Sequence, residues 1–323
     1  KFYIMSYISN PTLYLKSETH NNGLFNNVIQ KGNWGSTYLY ALQYHKKENY
    51  VFRGTKGYSP NYSQVYHGAS LAAGHTQTLE YAGQSGTGHW FIGTKPNDQR
   101  WATQIARVKL PDGTHYNNAD FPRLAYLNRA GGYTRVNGSQ YKGNLMLRSD
   151  AAVSPESNHF LLFTVDRNSK NSKYGVNGYF TLFDLDRINN DLDNAGSGYV
   201  NLENEPYISN FNIPNITTEI GSLQGVDLDE RNNIYISSEY APTDDDYNTQ
   251  PKKIVKIPWE ASSSSQWDII TFDNANLDID IAGYATELES VQVVGENDLY
   301  LTVSYHNKGS HKTTMSRLYE VKW

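Results

Sequence analysis

QGVDLDERNNIYISSEYAP, Gln224 to Pro242, followed by KIVKIPW, Lys253 to Trp259, is the stretch on which the fold turns. A polar and then a small residue open a strand, an Asp/Asn-rich segment turns the chain, an apolar strand follows, and a variable loop leads to a third strand. NIYISS (Asn233 to Ser238) is a short apolar run bounded by turn formers, the pattern of a strand rather than a helix. DLDERNN (Asp227 to Asn233) suits a tight turn, because Asp and Asn bond their own backbone and tolerate left-handed geometry. Calcium is the competing reading of its carboxylates, and the turn reading is favoured.

Outward from this unit the layout recurs. QTLEYAGQSGTGHWFIGTKP then QIARVKL spans Gln77 to Leu110, and DAAVSPESNHFLLFTV then YFTLFDL spans Asp150 to Leu185. ESVQVVGENDLYLTVSYHN then RLYEVKW runs from Glu289 to Trp323, and a weaker copy, NVIQKGNWGSTYLYALQY then YVFRGT, from Asn27 to Thr55. Repetition at this spacing predicts an all-β, five-bladed β-propeller in a single domain, 1–323, with repeats near 24–70, 75–130, 148–213, 222–272 and 287–323. Fourth strands are expected at Gln64 to Ser70, Arg123 to Arg129, Tyr207 to Ile213 and Trp267 to Phe272. The last copy stops without one, and TLYLKS, Thr12 to Ser17, is left over at the other end. That spare strand is expected to close the ring and remove its open edge. A two-sheet sandwich is the rival architecture. One short helix is expected, at Asp184 to Asp193.

Aligning the copies puts Asn27, Gln77, Asp150, Gln224 and Glu289 in equivalent places on the first, innermost strands, with His75 close to Gln77. Three positions on lie Gln30, Glu80, Val153, Asp227 and Gln292. A ring of amides and carboxylates can hold sugar hydroxyls or a hard cation, and it can equally bond to itself and to water. Asp150 and Glu289 are also the available pair for glycoside hydrolysis, which needs two carboxylates about 5–9.5 Å apart.

Composition narrows the classes. With 38% hydrophobic residues and 26 tyrosines the chain is polar yet rich in rings that suit half-buried sheets and recognition surfaces. A net charge of -5, without runs of either sign, makes no footprint for nucleic acid, and no stretch approaches the roughly 20 apolar residues of a membrane helix. The absence of cysteine removes disulfides, thiolate catalysis and thiolate-bound zinc. No G-x-S-x-G elbow, H-E-x-x-H or phosphate-binding glycine loop occurs, and the spaced carboxylates of Thr243 to Asn248 lack the EF-hand pattern. No cofactor is implied. The start at Lys1, without an initiator methionine, is that expected of a processed or trimmed chain.

The same segments resemble the helveticin J family of large bacteriocins. VIQKGNWGSTYLYALQ (Val28 to Gln43), GHTQTLEYAG (Gly74 to Gly83), HWFIGTKP (His89 to Pro96), HYNNADFPRLAYLNRAG (His115 to Gly131), LQGVDLDERNNIYISSEYAP (Leu223 to Pro242) and ESVQVVGENDLYLTVSYHNK (Glu289 to Lys308) carry the likeness. It implies a secreted or surface-associated antibacterial protein whose partner is a bacterial envelope component, a glycan or a surface protein. It brings no catalytic residue set. A non-killing lectin-like propeller and a glycan-cleaving enzyme are the alternatives.

Overall fold

The middle strands of the sheets have a core on each side. In His159–Asp166, Phe160 and Leu162 turn one way while Leu161, Phe163 and Val165 turn the other, and all are buried. A near-continuous apolar strand is what results when both faces of a sheet are covered. The structure, a computed structural model, describes residues 5–133, 135, 136, 139, 140 and 145–323; Lys1, read above as the start of a processed chain, lies outside them.

The strands form a five-bladed propeller. Blade 1 is Lys31–Trp34, Tyr38–His45, Glu48–Thr55 and Tyr62–Gly68. Blade 2 is Leu79–Tyr81, His89–Pro96, Ala102–Lys109 and Arg123–Ala125. Met146–Val153, His159–Asp166, Gly178–Asp184 and Ser209–Ile213 build blade 3. Gly225–Leu228, Ile234–Ser238, Lys253–Ile257 and Asp268–Thr271 build blade 4. Blade 5 takes Tyr284–Gly295, Asp298–Asn307 and Thr313–Lys322 from the C-terminal repeat and its outermost strand, Thr12–Thr19, from the other end of the chain. The expected closure is therefore present, antiparallel, with a bulge between Leu15 and Ser17.

Five apolar clusters, one at each blade junction, hold the ring. Burying a large apolar side chain contributes about 1.5–3 kcal/mol, so each junction is worth many such increments against chain entropy. The helix Leu185–Ala195 starts at the Asp184 cap, whose carboxylate accepts from Arg187 N at 2.9 Å. Its Leu185, Ile188 and Leu192 share one helical face and enter the junction of blades 2 and 3.

The turn at Asp227 to Asn233 is closed by Asp229. Its carboxylate accepts from Arg231 N, Asn233 N, the Asn233 amide and the Tyr235 hydroxyl at 2.8–3.0 Å, while Asn232 takes the left-handed conformation. Three short strands were not foreseen. Thr114–His115, Tyr199–Asn201 and Ser6–Ile8 add in parallel to the outer edges of blades 1, 2 and 4. Each covers backbone groups that would otherwise face outward as an open edge.

Candidate functional site

The inner strands run in register around the axis, so residues at matching positions form layers. The first layer is Gln30, Gln77, Asp150, Gln224 and Glu289, and they are buried. Asn27 is not in it. Its amide donates to Tyr44 O at 2.7 Å and its carbonyl oxygen accepts from Val28 N, before the inner strand of blade 1 begins. The weak first copy is thus displaced by three residues from the alignment read in the sequence. Gly32 lies where an added Cβ would come 2.9 Å from Thr302 Oγ1, and its N–H donates to that hydroxyl of blade 5 at 2.9 Å.

The layer is largely bonded to itself. Gln77 Nε2 donates to Gln30 Oε1 at 2.7 Å and reaches Glu289 Oε2 at 3.5 Å, and Ser290 Oγ donates to Gln77 Oε1 at 2.8 Å. Gln224 donates to Glu239 O at 2.8 Å. Asp150 is a clamp: Oδ1 accepts from Gln77 N at 2.9 Å and Thr78 Oγ1 at 3.0 Å, and Oδ2 from Arg148 at 2.8 Å. As a glycosidic acid it is poorly placed, since its acceptor sites are engaged by its neighbours.

His75 joins this end as the second ring of a stack. Tyr44 lies 5.0 Å from it on one face and Trp101 4.1 Å on the other, and the Arg148 guanidinium sits 4.1 Å over Trp101. Burial, helped by Arg148, pushes the imidazole down to about 3, so it is neutral and its Nε2 meets Gln30 Oε1 at 3.1 Å. Beside the layer Glu287, Glu289 and Glu239 crowd together. Burial first, and Glu287 next, hold Glu289 well above the usual carboxylate range, while burial lifts Glu239 to about 8. This end opens as a depression of about 290 Å³.

Three residues further on, about 10 Å along the strands, the second layer is Asn33, Glu80, Val153, Asp227 and Gln292. Between the layers the axis is narrow: a Cβ on Gly225 would stand 2.5 Å from Ser290 Cα. Lys31 Nζ lies 2.9 Å from Glu80 Oε1 in full burial. Asp227 accepts from Leu228 N at 2.8 Å and Val293 N at 2.7 Å and lies within hydrogen-bonding reach of Glu80. Burial raises both carboxyls and Lys31 opposes the rise at each, while the Glu80 charge adds to it at Asp227 and the hydrogen bond from Asp227 opposes it at Glu80.

The second layer floors a cavity of about 580 Å³. Its walls are Trp34, Tyr38 and Tyr40 from blade 1 and Tyr81 and Trp90 from blade 2. Tyr40 and Trp90 touch with ring centres 4.5 Å apart, Tyr38 meets Tyr40 edge-on, and Tyr81 meets Trp90 edge-on at 5.5 Å. Sequence reasoning found four of the five floor positions and missed Asn33 with its blade-1 shift. It missed the walls altogether; the only trace was the density of Trp and Tyr at Trp34 to Tyr40 and at Trp90.

A family model described as bacteriocin helveticin-J matches residues 8–323. Bacteriocin helveticin-J of Lactobacillus helveticus is 42% identical over 323 residues, covering 92% of each chain. Among solved structures, a GH43 β-1,3-galactosidase with galactodeoxynojirimycin is similar at 11% identity and a TM-score of 0.49, covering 95% of this chain and 93% of that one. A putative TolB from Agrobacterium tumefaciens is similar at 10% identity and a TM-score of 0.41, covering 92% and 91%. At such identities the likeness to solved structures is one of chain path alone.

Proposed function

Since this chain belongs to the helveticin-J family of bacteriocins, we propose that it is a secreted protein that inhibits or kills related bacteria after binding a component of their envelope. The observation that carries this reading is the 42% identity maintained across 92% of both chains, which leaves no large region of the propeller outside the likeness. The antibacterial part follows from the family; the envelope component and secretion are our own reading. A rigid ring with two axial ends supports a receptor-binding route, because loops and strand ends from different blades converge there. Among the described residues no helix is long and apolar enough to cross a membrane, so no helical pore is invoked.

Purified protein should reduce viable counts of some strains in a broad panel of related bacteria, and it should co-sediment with sensitive cells. No inhibition of any strain would sink the reading. Adsorption without killing would replace it with the lectin-like alternative.

A further inference from the structure

Resting on the reading that the protein binds an envelope component, we propose that the aromatic-walled end of the axis, opposite the Gln77 and Glu289 layer, is a binding site for a neutral saccharide.

The lining selects against the other classes of ligand. Among the described residues no lysine, arginine or histidine lines the cavity, so a phosphate- or carboxylate-bearing polymer would meet two carboxyls and no cation from them. A cationic ligand is equally ill served, because Lys31 already sits 2.9 Å from Glu80 beneath the floor. Lys31 sets one positive charge against the two carboxyls, and burial opposes the ionisation of both, so the floor presents less net charge than two free carboxylates would. Lys16 and Lys56 lie 5.3 and 4.8 Å from the Trp34 ring centre without lining the cavity, so they brace the wall rather than face the ligand.

What remains is a ligand with apolar faces and a hydroxylated rim. Tyr81, 40% exposed, offers a ring at the entrance, backed by Trp90 and Tyr40. The hydroxyls of Ser36, Thr37, Ser154 and Ser157 stand around the same space. Carboxyl oxygens carry more acceptor sites than their backbone donors use, which leaves capacity for sugar hydroxyls. The volume falls within the range of about 300–1,000 Å³ typical of small-molecule sites. A purely apolar ligand would leave that polar floor unpaired.

Trp34 and Trp90 in the walls provide the readout. Full-length protein would be titrated by tryptophan fluorescence and calorimetry with oligosaccharides of glucose, galactose, rhamnose and N-acetylglucosamine, and with polyglycerol phosphate as the anionic probe. At least one neutral sugar should bind saturably. Tyr81→Ala should weaken it about tenfold or more with an unchanged melting temperature, whereas Tyr81→Phe and the remote Tyr199→Ala should bind like the wild type. The proposal is overturned if no neutral sugar binds, if only polyglycerol phosphate binds, or if Tyr81→Ala binds normally. Killing and adsorption by the same preparation separate the two readings: active protein that binds no neutral sugar removes the site and leaves the antibacterial role.

Discussion

The ammonium of Lys31 on blade 1 and the carboxylate of Glu80 on blade 2 meet at 2.9 Å on the propeller axis, both side chains almost wholly out of solvent. Asp227 of blade 4 shares their site, so three blades are tied through one buried cation. Glu80 and Asp227 raise the lysine against the lowering effect of burial, so it stays charged throughout the physiological range.

Lys31→Met would leave two buried carboxyls without a counter-charge. A loss of about 3–5 kcal/mol is expected near pH 8, and less at pH 5, where the carboxyls can take up protons. Adding Glu80→Gln should recover part of it. Urea unfolding of the single and double variants at both pH values measures this; equal losses at both would refute the charge argument.

Stability should fall between about pH 6.5 and pH 8. Glu239, raised by burial to about 8 despite Lys252, keeps a proton in the folded chain that the unfolded chain releases above its ordinary value of 4.5. Its stabilisation is therefore complete below about 4.5 and lost as pH rises through about 8, and Asp227 and Glu289 act in the same direction. His75 acts oppositely: with its value lowered to about 3, its stabilisation is complete above 6.5 and lost as pH falls. Glu239→Gln should flatten the alkaline fall by a few kcal/mol, its oxygen still accepting from Leu288 N. Calorimetric melting across that range provides the check, and a melting temperature that rises with pH would contradict it.

Asp150 and Glu289 should part company. Asp150→Ala removes the counter-charge of Arg148 and the acceptor of the Gln77 N–H, and a loss of about 3–5 kcal/mol is expected. Glu289→Gln replaces a carboxyl whose ionisation burial and Glu287 already oppose, with an amide of the same shape, and a change under about 1 kcal/mol at pH 7 is expected. Chemical denaturation of both variants distinguishes an architectural clamp from a neutral member of the same layer.

Removing residues 1–19 strips the strand that pairs with Thr313–Lys322. Amides of that C-terminal strand should lose hydrogen-exchange protection, and the exposed edge should drive self-association seen by size exclusion. Retained protection and a monomer would show that blade 5 stands on three strands.

Gly225→Ala should cost about 1–3 kcal/mol, because its Cβ would press on Ser290 Cα at 2.5 Å, a backbone contact that no rotamer relieves. Gly57→Ala, with nothing within 4 Å, is the neutral control. Thermal melts of the two suffice.

The blade count, the short helix after Asp184, the turn at Asp227 to Asn233 and the closing strand at Thr12 were all legible, because alternation and turn chemistry are local and repeat with the blades. Asn27 was misplaced because the first copy is the weakest: Gln30, which the alignment put three positions further on, takes the first-layer place expected of Asn27. The parallel strands Thr114–His115, Tyr199–Asn201 and Ser6–Ile8 carry too few residues for a period to show, and their partners are set by which edge the loop happens to cross.

The sequence by itself pointed to a ring of five sheets closed by a strand from the other terminus, because one strand layout recurs five times and the last copy lacks a strand the first end can supply, and it placed Gln77, Asp150, Gln224 and Glu289, though not Asn27, on the first axial layer. It could not decide what those axial residues do. Gln77 bonds to Gln30 and Glu289 within their own layer, Gln224 donates to Glu239 O, Asp150 clamps a neighbouring blade, and His75 is locked between Tyr44 and Trp101. The open, ring-walled cavity lies at the other end, assembled from Trp34, Tyr38 and Tyr40 on one blade and Tyr81 and Trp90 on the next. Only the tertiary structure decides that, because a cavity's walls are set by how blades pack side by side, and that distance is not written in either strand.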